Sequence, residues 1–487
     1  MKLSELIQDL PYLSGSRGSL DTEIGSITNN SREKTERGLF FCIAGARFDA
    51  HDYAGQAVEN GCVALVVEHY VPVDVPQVLV TNGRAAMARL AAAFYGYPAR
   101  GMKLVGITGT KGKTTTSYLF KAICEKAGYK SGIIGTTGNM IGDRLIQSNL
   151  TTPDPIDLQR TLREMADEGV QVVGMEVSAH ALDMHRLDGM TFEAGCYTNL
   201  SQDHLDYFHT MDCYFEAKRR FFSEGMVLNA ALNADEETTA RILDGPVPPF
   251  ITYGICVDAD LYARDIEIRE DGVTFEMRLQ GMHEFQVHLK LTGMFNVYNA
   301  LAASACAMIL GIKHDAIRAG LESVASVPGR MEVLNTGTPY RVILDYSHSP
   351  DALENILKTV RGFTKGRVIA LFGCGGDRDR GKRPIMGAIG GRLADYSILT
   401  SDNPRNEDPM DILNAVEAGI RPTGGAYTVI ENRRDAIRYA LEMGREGDII
   451  VLCGKGHETY QEIRGVKHPF DEKVVVGELL AELKSGR

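Results

Sequence analysis

The densest chemical signal is the stretch GITGTKGKTTT at residues 106–116. Apolar residues precede it and a helical pattern follows it, so its glycines stand where a strand turns into a helix. At such a turn, backbone N–H groups and the positive end of the helix dipole converge on phosphate oxygens. Lys113 would reach the β- and γ-phosphates of a nucleotide, and Thr114 would ligate Mg²⁺. The stretch predicts a nucleotide-phosphate loop, with its leading glycine one place earlier than usual.

Two other predicted strands end in polar side chains. Glu176 and Ser178 lie at the end of the apolar run that begins at Val172, and His204 follows the run 194–198 in a polar loop. A carboxylate at such a strand end is placed to hold Mg²⁺ beside the phosphates. Taken alone, Glu176 fits a salt bridge equally well. His204 fits a structural role as well as a metal ligand, so both alternatives stay open here.

Lys218 lies in the segment YFEAKRR, residues 214–220. From composition alone, this segment is the basic face of a surface helix. Nothing in its own residue types assigns it chemistry.

A site for an amino-acid head group is predicted near the carboxy end, in the stretch TSDNPRNEDP at residues 400–409. Arg405 offers a rigid guanidinium fork for a carboxylate, and Pro404 stiffens the loop that carries it. Asp402 and Asn403 can hold an ammonium group and a neighbouring carboxylate. Together these side chains suit a zwitterion. A second loop, residues 373–383, sets three glycines beside Arg378 and predicts a shaped anion site.

The loop at 106–116 and the tetrapeptide Asp-Asn-Pro-Arg at 402–405 resemble those of the Mur ligase family of cell-wall amino-acid-adding enzymes. The loop is also similar to that of folylpolyglutamate synthases. Asp-Asn-Pro-Arg is typical of the members that add meso-diaminopimelate. The resemblance extends over essentially the whole chain. It implies an ATP-dependent ligase of peptidoglycan synthesis that joins meso-diaminopimelate to the D-Glu γ-carboxylate of UDP-MurNAc-L-Ala-D-Glu through an acyl phosphate.

The resemblance also implies the binding residues. The ATP set is Gly109, Thr110, Lys111, Gly112, Lys113, Thr114, Thr115, Asn296, Asn299, Arg330 and Asp345. The set for the UDP-MurNAc-dipeptide is Ser31, Arg47, Thr151, Thr152, Ser178 and Arg186. The set for meso-diaminopimelate is Arg378, Asp402, Asn403, Pro404, Arg405, Gly454 and Glu458. One departure is visible, because Met184 stands where the family often has Gln.

The resemblance reverses the interpretation of Lys218. In Mur ligases the corresponding lysine is carbamylated by CO₂, which turns a cation into an anion that can ligate a metal ion. The implied catalytic residues are Lys113, Glu176, His204 and Lys218. Two Mg²⁺ ions are expected, with Thr114, Glu176, His204 and carbamylated Lys218 as ligands.

These residues need elements that bring them together. Apolar strands alternating with helical lengths predict an α/β protein with buried parallel sheets. We expect an N-terminal UDP-binding α/β domain at 1–98, a central P-loop ATPase domain with a parallel sheet at 99–329, and a C-terminal Rossmann-like domain at 330–487. An alternating stretch, 261–291, predicts a small antiparallel addition to the central sheet.

Composition limits the other possibilities. The chain has 487 residues and a net charge of −12, which disfavours a general nucleic-acid binder. Neither a membrane span nor a signal peptide is expected. The nine scattered cysteines suit reduced thiols. A cytoplasmic monomer acting on small molecules is therefore expected.

Two alternatives within the same class are a lysine-adding ligase and a folylpolyglutamate synthase. Arg405 disfavours lysine, whose side chain has no second carboxylate. The N-terminal domain at 1–98 disfavours the folate enzyme. A non-catalytic scaffold predicts loss of Lys113, Glu176 or Lys218, and all three are present. A P-loop motor would leave the C-terminal domain at 330–487 unexplained.

Overall fold

The computed structural model describes residues 1–45, 48–148, 150–256, 258–280 and 284–485. Its strands form three large sheets, of five, eleven and six strands, and one two-stranded hairpin. The sheets follow one another along the chain. Arg47, expected to bind the sugar nucleotide, lies outside the described residues.

The N-terminal sheet has the strand order β1-β5-β4-β3-β2, and β1 alone runs antiparallel to its neighbour. The strands are β1 (Leu13–Arg17), β2 (Ser26–Thr28), β3 (Gly38–Phe41), β4 (Cys62–Val67) and β5 (Gln77–Val80). The helices are α1 (Leu3–Ile7), α2 (Ala54–Glu59) and α3 (Gly83–Phe94), with a 3-10 turn at Ala50–Tyr53. Helix α3 begins where the Asn82 side chain accepts a hydrogen bond from the Ala85 N–H.

The central sheet has the order β16-β15-β14-β13-β12-β11-β6-β10-β7-β8-β9. Its strands are β6 (Lys103–Thr108), β7 (Ser131–Gly135), β8 (Gly138–Ile141), β9 (Arg144–Ile146), β10 (Val172–Glu176), β11 (Ala194–Tyr197), β12 (Ala230–Asn233), β13 (Phe250–Gly254), β14 (Leu261–Arg269), β15 (Gly272–Leu279) and β16 (Glu284–Leu289). Its helices are α4 (Lys113–Lys126), α5 (Pro155–Asp167), α6 (Ala179–Asp183), α7 (Leu205–Phe208), α8 (Met211–Ser223), α9 (Thr238–Leu243), α10 (Met294–Ile309) and α11 (His314–Ser323), with a 3-10 turn at Pro98–Gly101.

The middle of this sheet is parallel, and antiparallel ribbons extend both edges. Strands β14, β15 and β16 form the antiparallel addition that the sequence predicts. The second ribbon, β7-β8-β9, was not expected. In the parallel part, Glu176 of β10 is level with Ile107 of β6, and Tyr197 of β11 is level with Thr108. The carboxyl ends of three neighbouring strands therefore meet at the nucleotide loop.

The C-terminal sheet has the order β17-β18-β22-β19-β20-β21 and is parallel except for β17. The strands are β17 (Glu332–Leu334), β18 (Arg341–Asp345), β19 (Val368–Phe372), β20 (Tyr396–Leu399), β21 (Tyr427–Val429) and β22 (Ile449–Cys453), and the hairpin is β23 (Tyr460–Ile463) with β24 (Val466–Pro469). The helices are α12 (Pro350–Phe363), α13 (Lys382–Leu393), α14 (Pro409–Ile420), α15 (Arg433–Met443) and α16 (Glu472–Lys484), with a 3-10 turn at Arg421–Thr423. Every residue of β19 and β22 is buried, as in a sheet covered by helices on both faces.

Helices α13 and α14 pack unusually closely through glycine. A Cβ atom on Gly387 would lie 2.0 Å from the carbonyl oxygen of Val416, and one on Gly419 would lie 1.8 Å from that of Pro384. Both distances are far below van der Waals contact, so only glycine fits at either position. The two helices follow the loops that carry Arg378 and Arg405.

The α/β class and the parallel sheets are confirmed, and predicted strand ends differ from the observed ones by at most two residues. The domain boundaries at 98/99 and 329/330 stay predictions. Within the described part of the chain, no helix has both the length and the apolar character that a membrane crossing requires. All nine cysteines are free thiols.

Candidate active site

The nucleotide loop links β6 to α4 and depends on two glycines with positive φ. Gly109 has φ +143° and Gly112 has φ +86°. A Cβ on Gly109 would lie 1.9 Å from Thr198 Oγ1, and one on Gly112 would lie 2.5 Å from Asn299 Oδ1. The loop is therefore packed tightly against the next strand end and against α10.

Lys113 folds over its own loop. Its Nζ donates to the carbonyl oxygens of Gly109 at 2.7 Å and Thr110 at 2.9 Å. Burial lowers the pKa of Lys113 to about 8. The ammonium is thus held where phosphate oxygens would replace the carbonyl oxygens as its partners.

Lys111 and Thr110 are held by the loop that follows β11. The Lys111 N–H donates to Asn199 Oδ1 at 2.8 Å, and its Nζ pairs with Asp203 Oδ2 at 3.2 Å. Thr110 Oγ1 lies 3.3 Å from the hydroxyl of Tyr214. Sequence reasoning missed Asn199 and Asp203, although both stand in the polar loop that it singled out around His204.

The segment with Asn296 and Asn299, both of the expected ATP set, also reaches the loop. Asn299 Nδ2 donates to Asn296 Oδ1 at 2.9 Å, and Asn299 Oδ1 accepts from Thr116 Oγ1 at 3.4 Å. Thr115 is buried in the first turn of α4. The first turn of α10 is thus hydrogen-bonded to the first turn of α4.

Glu176 is 1% exposed and is oriented by a threonine that sequence reasoning missed. Thr136 donates to Glu176 twice, from its N–H at 3.0 Å and from its hydroxyl at 2.8 Å. The same hydroxyl lies 3.0 Å from that of Thr151. Thr136 directly follows β7, which is a parallel neighbour of β10. Its position at the end of that strand is the sequence feature that could have identified it as a partner of Glu176.

Three of the residues expected to hold the dipeptide form one cluster. Thr152 Oγ1 accepts from the Ser178 N–H at 3.0 Å. Arg186 Nη1 donates to the Thr152 carbonyl at 2.7 Å, and its Nε pairs with Asp154 at 2.9 Å. Met184 Sδ lies 3.7 Å from Arg186 Nη2, so the departing residue contacts the arginine. Ser31 lies apart from this cluster, in the N-terminal sheet region, and its hydroxyl donates to Gln56 at 2.9 Å.

Lys218 is 1% exposed and does not form a solvated basic face. Its Nζ lies 4.4 Å from the centroid of the Tyr214 ring, and no hydrogen bond or ion pair joins it to another group in the described ranges. Burial, followed by repulsion from Lys113, lowers the pKa of Lys218 well below its usual value. Burial thus favours the neutral form of the amine, which is the form that reacts with CO₂.

His204 lies in the same region, with its ring 4.8 Å from that of His180 and 6.0 Å from that of Tyr214. Burial lowers the pKa of His204 to about 3, which leaves the imidazole free to ligate a metal ion. Among the described residues, no three Asp, Glu, His or Cys side chains are grouped closely enough to hold a metal. The expected metal set depends on Thr114 and on a carbamate at Lys218, so it stays a prediction.

The predicted amino-acid residues form a hydrogen-bonded network around a lysine that was not singled out. Lys455 is fully buried, and its Nζ donates to Asn403 Oδ1 at 3.0 Å and to Glu458 Oε2 at 2.5 Å. Asn403 Nδ2 donates to the same Glu458 oxygen at 2.9 Å. A Cβ on Gly454, where φ is +112°, would lie 2.5 Å from Asp402 Oδ2. The two predicted halves of the site are therefore in direct contact.

Arg405 lies at the edge of this network. Its Nη1 donates to the Gly376 carbonyl at 2.7 Å, and its Nε pairs with Glu462 at 3.2 Å. Arg378 lies beside it, because a Cβ on Gly375 would contact both Arg405 Nη1 at 2.9 Å and Arg378 Cγ at 3.8 Å. The loop expected to bind anions and the loop with Asp-Asn-Pro-Arg are thus in contact around Gly375 and Gly376.

Contacts between the central and C-terminal sheets join the two sites. Arg330 Nη2 donates to Thr114 Oγ1 at 3.0 Å, so this arginine of the expected ATP set reaches the nucleotide loop. Gln202 donates to Asp379 at 3.0 Å. Asp345 accepts from the Met331 N–H at 2.8 Å and thereby fixes the backbone next to Arg330.

Models of known protein families match three successive parts of the chain, one for each large sheet. The Mur ligase middle domain matches residues 107–307, the glutamate ligase domain of Mur ligases matches 329–456, and the Mur ligase family catalytic domain matches 23–95. A Clostridium acetobutylicum protein is 43% identical, over 99% of this chain and 100% of its own. The chain belongs to the Mur ligase family.

The C. acetobutylicum relative of this Mur ligase is named UDP-N-acetylmuramoyl-L-alanyl-D-glutamate–2,6-diaminopimelate ligase 1. A Geobacillus thermodenitrificans protein is named as the same ligase and is 45% identical over 98% of both chains. A solved structure with that name superposes with a TM-score of 0.69, at 32% identity over 99% of both chains. This Mur ligase is therefore an ATP-dependent ligase with the three-part architecture of its family.

Proposed function

We propose that this ligase adds meso-diaminopimelate to the D-Glu γ-carboxylate of UDP-MurNAc-L-Ala-D-Glu, yielding the UDP-MurNAc-tripeptide, ADP and phosphate. The observation that carries the substrate assignment is the position of Arg405 at the edge of the network of Asn403, Lys455 and Glu458. A guanidinium fork suits a carboxylate, and buried carboxylates suit an ammonium group. The distal end of meso-diaminopimelate carries both groups.

The reaction requires two bond-forming steps. A carboxylate oxygen of D-Glu attacks the γ-phosphorus of ATP, and the bond from this phosphorus to the β–γ bridging oxygen breaks. ADP is the leaving group, and the D-Glu carboxylate has become an acyl phosphate. The amine of meso-diaminopimelate then attacks the acyl carbon, phosphate leaves and a proton is lost. Lys113 would exchange its loop carbonyls for phosphate oxygens and stabilise the developing charge.

The residues present fit Mg²⁺, since Glu176 and Thr114 supply oxygen ligands and the buried Lys218 amine, whose charged form is disfavoured by burial, suits conversion to a carbamate. Thr114, Glu176, His204 and carbamylated Lys218 would hold it. Bound Mg²⁺ would neutralise charge on the transferring phosphoryl group. Thr136, by its two hydrogen bonds, orients Glu176 before any ion binds.

The N-terminal domain would bind the uridine diphosphate through Ser31 and Arg47, and Thr151, Thr152, Ser178 and Arg186 would hold the dipeptide. We further propose a cytoplasmic monomer with domains at 1–98, 99–329 and 330–487. The sheets support these boundaries, because β5 ends at Val80, β6 starts at Lys103 and β17 starts at Glu332.

The test is phosphate release from ATP with UDP-MurNAc-L-Ala-D-Glu and, in turn, meso-diaminopimelate, L-lysine or no amino acid. Release is expected to require meso-diaminopimelate and to produce the tripeptide by mass. Arg405→Ala should raise the KM for meso-diaminopimelate about 100-fold, the loss expected when a charged, bidentate pair is removed. Arg464→Ala is the matched control, since this arginine of the β23–β24 turn has a similar φ of +49°. Faster release with L-lysine would overturn the specificity.

A further inference from the structure

Arg433, the first residue of α15, has a side chain that is 0% exposed. Its Nη2 lies 2.8 Å from Oε1 of Glu472, the first residue of α16. Nη2 also donates to the carbonyl of Cys453 at 2.8 Å, and Nη1 donates to that of Ser401 at 3.3 Å. One buried guanidinium therefore binds a carboxylate and two backbone carbonyls.

Both carbonyls belong to the amino-acid site. Ser401 directly precedes Asp402, and Cys453 directly precedes Gly454. Ser401 follows β20 and Cys453 ends β22, and β19 lies between these two strands in the sheet. The guanidinium thus extends past the end of β19 and connects the loop after β20 with the loop after β22, which are separated in the sheet by β19.

The energetics of the buried Arg433–Glu472 pair argue against stabilisation of the fold as its main role. A buried ion pair is costly to desolvate, and well-packed apolar residues often serve stability equally well. This pair is also incompletely satisfied, because Glu472 Oε2 has no hydrogen-bond partner in the described part of the chain. Burial raises the pKa of Glu472. Arginine at this position is explained better by the two carbonyls, which an apolar side chain cannot bind.

We propose that Arg433 is a positioning residue for the amino-acid site: by binding the Ser401 and Cys453 carbonyls, it sets the separation of the two loops that recognise the incoming amino acid. Arg433 does not touch the amino acid itself. This inference rests on the proposed function and adds a residue outside the binding set.

The first variant is Arg433→Lys, which keeps the charge but replaces the extended, planar guanidinium that contacts both carbonyls and Glu472 with a compact ammonium. We expect the KM for meso-diaminopimelate to rise at least about tenfold, because small displacements of binding groups are costly. The KM values for ATP and for the UDP-MurNAc-dipeptide should stay within about twofold. The control is Arg367→Lys, since Arg367 pairs with the buried Asp448 at 2.6 Å at the opposite end of β19 and β22.

The double variant Arg433→Met with Glu472→Leu separates positioning from folding. It removes both buried charges together, so the protein should fold, with a melting temperature lowered only by the loss of the two contacts to the carbonyls. The KM for meso-diaminopimelate should nevertheless rise as in Arg433→Lys. If Arg433→Lys and the double variant do not fold, Glu472→Gln keeps the arginine and should raise the same KM by a smaller factor.

An unchanged KM for meso-diaminopimelate in folded Arg433 variants would overturn the inference. So would an equal rise in all three KM values, or the same rise in Arg367→Lys. A wild-type KM for meso-diaminopimelate in the double variant would show that Arg433 contributes to stability and does not position the two loops. Failure of the proposed function is distinct, since wild-type protein would then not turn over meso-diaminopimelate.

Discussion

His457 Nε2 lies 3.1 Å from the backbone carbonyl oxygen of Thr136. Because a carbonyl only accepts, Nε2 carries the hydrogen, and Nδ1 is left without a partner among the described residues. Thr136 holds Glu176, and His457 directly precedes Glu458. The contact therefore connects the predicted amino-acid site to the predicted metal carboxylate across two domains.

Replacing His457 with Ala is expected to lower kcat about fivefold to tenfold, since one hydrogen bond contributes about 1 kcal/mol and 1.4 kcal/mol is a factor of ten in rate. The contact joins the central and C-terminal domains, so its loss should also weaken their association. Steady-state kinetics and small-angle scattering with an ATP analogue measure both effects. His468→Ala, at an exposed position on β24, is the control. Unchanged kcat and scattering in His457→Ala would contradict this role.

The metal-free protein should lose stability as the pH falls from about 6.5 to about 4. Burial lowers the pKa of His457 to about 4 and that of His348 to about 3, whereas an unfolded histidine titrates near 6.5. Within this window the unfolded chain binds protons that the folded chain does not. Each such histidine changes the free energy of unfolding by about 1.4 kcal/mol per pH unit. Urea denaturation should show a shallower pH slope for His457→Gln, and the wild-type slope for His468→Gln. Equal slopes in all three proteins would contradict the prediction.

Lys218→Ala is expected to abolish turnover, with partial rescue by acetate or formate. The alanine leaves space for a small carboxylate at the position of the carbamate. Incubation of the wild type with ¹³C-labelled bicarbonate should give a carbamate signal by NMR that the variant lacks. Lys121→Ala is a matched control, since Lys121 is also buried but pairs with Glu125 at 2.5 Å. Full activity of Lys218→Ala would disprove a role for the carbamate.

Gly454→Ala should raise the KM for meso-diaminopimelate at least about tenfold. The added Cβ would meet Asp402 Oδ2 at 2.5 Å, so this carboxylate must move. The positive φ adds strain of about 1 kcal/mol at any such glycine. Gly465→Ala controls for that strain, because Gly465 has φ +76° and open space around its Cβ position. A similar KM change in both variants would argue against a specific displacement of Asp402.

The local chemistry of the strand ends was predictable from the sequence. The sequence predicts a helix from Lys113 to Lys126 with a stop at Gly128, and α4 has these bounds. It also predicts a strand at 368–372, where β19 lies, because a short apolar run between polar loops allows few other placements. These elements are specified by residues that are neighbours along the chain.

Contacts between distant segments were not predictable in the same way. Thr136 and Glu176 are 40 residues apart, and Arg433 and Glu472 are 39 apart. Their pairing depends on the order of strands in a sheet, which a single sequence does not specify. The burial of Lys218 was likewise hidden, since its neighbours Arg219 and Arg220 favour an exposed helix face. Only the family resemblance pointed to a different environment.

The glycine-mediated contact between α13 and α14 restricts how this enzyme could change its amino-acid preference. Because backbone packs against backbone at Gly387 and Gly419, any side chain at either position would push the two helices apart. The loops with Arg378 and Arg405 are therefore attached to two helices whose separation depends on these glycines. A new preference would arise most easily by exchanging individual side chains on an unchanged frame, so related ligases with other amino-acid substrates should retain the same backbone course here.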